Sequence, residues 1–314
     1  MEFLSCDWGT SNFRLRWTGR GMHRVYHSEE GAGKIAAEGG DRAARFKSVL
    51  AAGMASVGAP PGLPVVISGM ASASIGWKEL PYAGLPFPLD GTRVSWHEVE
   101  PGVFLIGGVC SDEEVMRGEE TQAVGWAFTG VGKANESTLL VLPGTHSKHL
   151  WVEAGRVTHF RTYMTGELFD LLAKHSVLRH SVRLGAAPDE GAFREGVAKG
   201  ADAPLNAALF RVRTRQVLDR VDAGVNTSFL SGLLIGAEMA EAGRAKIPVV
   251  VACGVEMGKA YICAAEKLSF AARVSWTESE NLCEQGQRRI LELLLNGKAA
   301  GDVGAGPRGE NARV

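Results

Sequence analysis

The sequence predicts an α/β protein built from two related domains, and three observations carry that prediction. The chain has 314 residues, roughly two domains at the usual 100 to 200 residues each. Strand-like and helical stretches alternate along it. Residues 3–28 are also echoed by residues 138–163, each segment opening with a three-strand meander whose first turn holds Gly-Thr and then small polar residues. The offset of about 135 residues is too long for a solenoid repeat and fits two facing domains.

Each element has a local reason. Residues 3–8 form an apolar run, residues 9–12 a turn, and residues 13–17 (Phe-Arg-Leu-Arg-Trp) alternate with period two, as a half-buried strand does. A turn at 19–21 leads to a third strand at 23–28. Residues 41–57 have helical spacing, with Phe46, Val49, Leu50 and Met54 on one side. Strands are expected at 63–68 and 103–109, and a helix at 118–128. The echo begins with strands at 138–142, 148–153 and 156–163. A helix over 166–174 follows, with Thr165 as its N-cap. Residues 227–242 read as a helix whose Gly232 and Gly236 permit close packing. A buried strand at 247–252, a helix from 255 to 268 and a last helix over 278–295 complete the pattern.

Composition excludes several classes of function. A hydrophobic content of 45% and a charged content of 22% rule out bulk disorder. Thirty-four basic and 35 acidic residues give a net charge of −1, with no basic run for nucleic acid or an anionic membrane. Residues 1–7 carry no basic n-region, and no apolar stretch reaches the length of a membrane span. Five cysteines without a C-x-x-C pair are expected to be reduced, in a cytoplasmic chain. Gly31-Ala32-Gly33-Lys34 lacks the first glycine and final Ser/Thr of a P-loop, and no G-x-G-x-x-G follows the first strand. His146 and His149 lack the further ligands that zinc needs.

The loops hold the candidate chemistry. Asp7 at a strand end, followed by Gly9, Thr10, Ser11 and Asn12, suits Mg²⁺ and phosphate. The carboxylate attracts hydrated metal, while turn N–H groups and hydroxyls bind phosphate oxygens. An ordinary hairpin turn has the same composition. The equivalent turn of the echo carries Gly144 and Thr145, however, and two such turns suit a triphosphate in a cleft between domains. Gly254, between a buried strand and a helix, fits either beneath a nucleotide base or in a plain βα turn. Glu119 and Glu120 start a helix, where one carboxylate could accept a proton from a substrate hydroxyl. Both equally suit the helix dipole. Adjacent helical residues point about 100° apart, so at most one faces a substrate.

At these residues the chain resembles the 2-dehydro-3-deoxygalactonokinase family of the actin/hexokinase/Hsp70-like ATPase superfamily, from about residue 3 to about 295. The resemblance is carried by Asp7–Arg14, by Ser68-Gly69-Met70 with Gly76-Trp77-Lys78 and Pro81-Tyr82, and by Met116–Gln122. Further on it is carried by Pro143–Lys148, by Phe160-Arg161-Thr162 with Met164–Leu168, and by Phe229–Glu238.

The resemblance implies two ribonuclease-H-like domains of the actin-like ATPase fold, with ATP-Mg²⁺ in an interdomain cleft. Residues 1–130 would bind sugar acid and phosphate, and residues 131–296 nucleotide, with the final helix able to pack back on the first domain. Residues 297–314, Gly/Ala-rich, would be a mobile tail. It further implies that Asp7 holds Mg²⁺ through water. Gly9, Thr10, Ser11 and Asn12 would meet the phosphates from one side, Gly144 and Thr145 from the other, and Gly254 the adenosine. Glu120, ahead of Glu119, would be the general base. The implied reaction moves the γ-phosphoryl of ATP to the 6-hydroxyl of 2-dehydro-3-deoxy-D-galactonate in galactonate breakdown.

The substrate's carboxylate calls for a cation, and Arg117 and Arg161 are candidates, because guanidinium binds carboxylate bidentately, with Lys78 a third as a point charge. Ser68 and Trp77 lie in the loop expected to touch the sugar acid. A phosphatase acting on polyphosphate or a guanosine polyphosphate, a kinase for the gluconate epimer and an actin-like filament protein are the alternatives. The expected partner is a small sugar acid, with neither nucleic acid nor membrane, and homo-oligomerisation is left open.

Overall fold

The computed structural model describes residues 1–19, 21–130 and 137–299. The tail expected at 297–314 therefore lies, from residue 300 onward, outside the described residues. The chain divides into two compact units. One comprises Met1–Ala134, Gly155–His159 and Asn281–Val314, the other Asn135–Ala154 and Phe160–Glu280.

In the first unit β1 (Phe3–Trp8), β2 (Phe13–Gly19) and β3 (Met22–Ser28) form the expected meander. Next come α1 (Ala32–Glu38), α2 (Arg42–Val57) and β4 (Val65–Gly69). Asp41 caps α2 by accepting the Ala44 N–H. Two short strands follow, β5 (Ala83–Gly84) and β6 (Phe87–Pro88), then β7 (Trp96–Glu100) and β8 (Val103–Ile106). The stretch ends with β9 (Val109–Cys110), β10 (Val115–Met116) and α3 (Glu119–Phe128). Among the described residues the main sheet has the order β3-β2-β1-β4-β8-β7, antiparallel through the meander and parallel from β1 through β4 to β8. Alternation in β2 sends Phe13, Leu15 and Trp17 into a core with Phe46, Val49 and Leu50 of α2. Trp8 closes that core, its ring 4.5 Å from Phe13 and 4.6 Å from Phe46.

The second unit repeats the plan with β11 (Thr138–Leu142), β12 (Ser147–Glu153) and β13 (Arg156–Tyr163). After α4 (Thr165–His175) come α5 (Glu190–Asp202), α6 (Leu205–Ala208), α7 (Arg211–Val217) and the long α8 (Ala223–Arg244). Then β14 (Val249–Ala252), α9 (Val255–Lys267) and β15 (Val274–Thr277) complete it. The sheet order is β15-β14-β11-β12-β13-β6. Its last member, β6, pairs with Arg156 and Val157, residues that belong with it to the first unit. Setting the outermost β7 and β6 aside, both sheets place their strands as third, second, first, fourth, fifth. The final helix, α10 (Leu282–Leu295), belongs to the first unit and packs on α3, β1 and β4. No described helix is long and apolar enough to cross a membrane.

Several expected elements differ in detail. The strand expected at 103–109 breaks after Ile106, because Gly107 and Gly108 turn the chain so closely that a Cβ on Gly107 would lie 2.0 Å from Ser95 Oγ. The last helix starts at Leu282, four residues later than expected at 278. Thr165 is not an N-cap. It is the first residue of α4, after Met164, and its hydroxyl donates to the buried carboxylate of Glu238 instead.

Two helix pairs meet backbone to backbone. A Cβ on Gly125 of α3 would sit 1.9 Å from the Leu282 carbonyl oxygen, and one on Gly286 of α10 would sit 1.9 Å from that of Thr121. In the second unit, Gly232 of α8 would meet the Phe193 carbonyl of α5 at 2.1 Å. One added methyl at such a contact forces the helices apart. Gly286→Ala should therefore cost about 1–3 kcal/mol or more, read as a lowered thermal midpoint; an unchanged midpoint would show that the pair can separate freely.

Candidate active site

The first candidate turn lies where parallel strands β1 and β4 end, with Asp7 in register with Arg14 of β2 and Ser68 of β4. Burial pushes the Asp7 carboxyl above its ordinary value, and Arg14 and Arg16 reverse that only in part. The turn is a closed loop, with the Gly9 N–H donating to the Asn12 carbonyl. Its own Gly9 and Thr10 carbonyls accept the N–H groups of Ala32 and Gly33, which brace it against the start of α1. Only a glycine fits at position 31, where a Cβ would lie 2.2 Å from the Thr10 carbonyl oxygen. The glycines that fail as a P-loop thus seat a helix on this turn. Thr10, Ser11 and Asn12 remain exposed.

At the start of α3 the two carboxylates part company. Glu119 is half-buried and accepts the Arg117 N–H at 2.9 Å. Glu120 is fully buried. It accepts the Gly118 N–H at 2.6 Å and the Thr121 hydroxyl at 2.9 Å. Burial, with the charge of Glu119 adding to it, pushes the Glu120 carboxyl up to about 7.

The expected sugar-acid contacts are scattered. Ser68 is buried, with its hydroxyl 3.0 Å from that of Thr121 and accepting from Gln287 at 3.1 Å. Trp77 is half-buried and stacked on Phe46. The Arg117 guanidinium donates to Ser72 Oγ at 2.7 Å and the Leu80 carbonyl at 3.3 Å, and lies over the Tyr82 ring. It braces its own loop. Lys78 is exposed and 2.6 Å from His97 Nε2. Arg161 is exposed on β13, in the second unit.

The second candidate turn has the same construction. Gly144 and Thr145 are exposed, and the Thr145 carbonyl accepts the Glu167 N–H at the start of α4. Gly166 permits that contact, since a Cβ there would lie 2.5 Å from the Gly144 carbonyl oxygen. Beside the turn is a cavity of about 160 Å³ whose walls include Gly144, Phe169, Ser231, Ile235, Met257 and Tyr261. Gly254 precedes α9 in open space. Sequence reasoning missed the cavity residues on α4, α8 and α9, although Phe229–Glu238 is one of the blocks that carry the resemblance.

Behind the cavity lies Glu238, buried and anionic. It accepts from Ser147 at 2.7 Å, His149 at 2.9 Å and Tyr261 at 2.9 Å, as well as from Thr165. Burial works against its charge, yet His149, Thr165 and Ser147 hold the carboxyl below its ordinary value. His149 is committed here and His146 pairs with Glu167. Among the described residues no group of three or more His, Cys, Asp or Glu could hold a metal ion.

Two copies of one sheet order, each with an exposed, helix-braced turn after its first strand, define the actin-like ATPase fold as sugar kinases use it. The comparisons agree. The profile of the 2-keto-3-deoxy-galactonokinase family matches residues 7–290, and the chain belongs to this family. It is 38% identical over 257 residues to a Rhizobium meliloti protein named "Probable 2-dehydro-3-deoxygalactonokinase DgoK1", covering 76% of this chain and 80% of that one. It is 34% identical over 247 residues to the Escherichia coli 2-dehydro-3-deoxygalactonokinase, again covering 76% and 80%. A crystal structure from Sinorhizobium meliloti given the same assignment superposes with a TM-score of 0.82 at 33% identity, over 93% of this chain and 96% of that one.

The shift at Glu120 has a consequence for stability. A carboxyl raised from 4.5 to about 7 favours the fold while neutral, fully so below 4.5, and that contribution is lost as pH rises through 7. Its size is on the order of 3 kcal/mol. Denaturant unfolding of the wild type should weaken between pH 5 and 8 by about that much, and Glu120→Gln should flatten the curve. An equally steep curve in the variant would refute the assignment.

Proposed function

We infer that this chain is an ATP-dependent kinase that phosphorylates the 6-hydroxyl of 2-dehydro-3-deoxy-D-galactonate, a step of galactonate catabolism. Family membership across residues 7–290 supports the substrate. The geometric observation that carries phosphoryl transfer is the pair of exposed turns at 9–12 and 143–146, each braced by a glycine-containing helix start. Exposed backbone and hydroxyl donors at Thr10, Ser11, Gly144 and Thr145 suit phosphate oxygens. The cavity beside Gly144, apolar apart from a few polar groups, suits adenosine, and Gly254, just ahead of the helix that carries Met257, is proposed as a further adenosine contact.

The residues also fit magnesium. Asp7 offers a single carboxylate, raised by burial, that a cation would stabilise in its charged form. One carboxylate, without a cluster of ligating side chains, is the usual setting for Mg²⁺, which keeps several waters and takes its other ligands from phosphates. When bound, the ion supplies charge neutralisation at the β- and γ-phosphate oxygens.

The rest falls to the chain. Glu120, titrating near neutral pH, is matched to accept a proton from the acceptor hydroxyl. The carboxylate is fully buried and holds the N–H of half-buried Gly118, the residue beside which we place the acceptor hydroxyl. Lys78 and Arg161, both exposed, are the cations proposed for the substrate carboxylate. We place the chain in the cytoplasm, a reducing compartment in which its five cysteines would stay as thiols.

ADP release should require ATP-Mg²⁺ together with the galactonate-derived 2-keto-3-deoxy acid, and comparison with its gluconate epimer sets the selectivity. Phosphate release without an acceptor would overturn the kinase reading in favour of a phosphatase. Asp7→Asn should lower turnover by about a thousandfold with little change in folding, as expected when charge stabilisation at the phosphates is lost; a fully active variant would remove the metal role.

A further inference from the structure

A buried line of polar groups crosses the first unit, from the C-terminal helix to the carboxylate at the head of α3. Gln287 Nε2 of α10 lies 2.7 Å from the Cys6 carbonyl of β1 and 3.1 Å from Ser68 Oγ of β4. Ser68 Oγ is 3.0 Å from Thr121 Oγ1, which donates to Glu120 Oε1 at 2.9 Å. Gln287, Thr121 and Glu120 are fully buried and Ser68 is 1% exposed, so no solvent interrupts the line.

With Glu120 ionised, the line has only one direction. The amide nitrogen of Gln287 can only donate, and an ionised carboxylate can only accept. Ser68 must therefore accept from Gln287 and donate to Thr121, and Thr121 must accept from Ser68 and donate to Glu120. The amide cannot be reversed, because its oxygen would then face the Cys6 carbonyl oxygen, acceptor against acceptor. Its own oxygen is left buried without a partner. The fold thus satisfies both amide hydrogens and leaves the acceptor unmet. Donors aligned in this way polarise one another, and a low-dielectric surrounding strengthens the last bond to the carboxylate.

We propose that Gln287 is a positioning residue for the phosphoryl-transfer step, fixing through Ser68 and Thr121 the orientation and charge of the Glu120 carboxylate. Ser68 is then the middle link of this line and no contact of the sugar acid. The inference rests on Glu120 being the general base. Glu119 beside it on α3 also acts on Glu120, and the charge of Glu120 in turn helps to raise the Cys283 thiol on α10. That thiol also feels Asp7 of β1 and Arg14 and Arg16 of β2. None of these donates along the line.

The test uses the full chain with Gln287→Leu and with Thr121→Val, the second of which keeps the side-chain shape and leaves α10 untouched. Each should lower kcat at neutral pH about tenfold, the worth of one hydrogen bond to a charged group, with both KM values unchanged. Activity should recover at alkaline pH, because a carboxylate stripped of a donor titrates higher. The double variant should be no worse than either single one, and neither change should matter in a Glu120→Gln background. A kcat loss without a displaced pH profile, or additive losses, would overturn the relay and leave the base standing. Full turnover in Glu120→Gln alone would overturn the base, and the relay with it.

Discussion

Close packing of α3 against α10 is the constraint on which the first unit's chemistry depends. The helices approach until a carbonyl oxygen of each occupies the space that a Cβ would take on the other, at Gly125 and at Gly286. That approach places Gln287, one residue after Gly286, within hydrogen-bonding range of β1 and β4. Hydrogen bonds weaken steeply beyond their normal range, so a separation widened by one methyl group would disconnect the helix from both strands. A residue near position 290 is thereby held against strands formed by residues 3–8 and 65–69.

The second unit uses the same device for another purpose. Glycine-mediated packing of α5 on α8 sets the helix that presents Glu238 to β12, α4 and α9. The two buried carboxylates then move in opposite directions. Glu238 collects hydrogen bonds from four side chains and is held ionised. Glu120 has one side-chain donor, Thr121, and two backbone donors, Gly118 and its own N–H, with a second carboxylate next to it, and burial prevails. The number of donors thus separates a carboxylate that ties cavity walls together from one able to exchange a proton near neutral pH.

The repeat was legible in the sequence because its signals are local: the alternation in residues 13–17, the apolar runs at 3–8 and 138–142, and Gly-Thr turns in equivalent places. Gly232 and Gly236 likewise announced close packing. What stayed hidden was decided by residues far apart in the chain. Thr165 looks like a helix cap until Glu238, 73 residues later, takes its hydroxyl. Ser68 and Arg117 have the chemistry of ligand contacts, and only burial and partners show them occupied within the fold. The cavity walls at Phe169, Ile235 and Met257 carry side chains that read as core. Gln287 is one of two glutamines on an amphipathic helix, and no pattern in sequence separates it from Gln285.

The central claim is that Glu120 transfers the proton, and the pH dependence of kcat tests it most directly. The account predicts that wild-type kcat rises with pH through an inflection near 7, and that this inflection vanishes in Glu120→Gln while Glu119→Gln keeps it. An inflection that survives in Glu120→Gln, or that disappears only when Glu119 is changed, would contradict it.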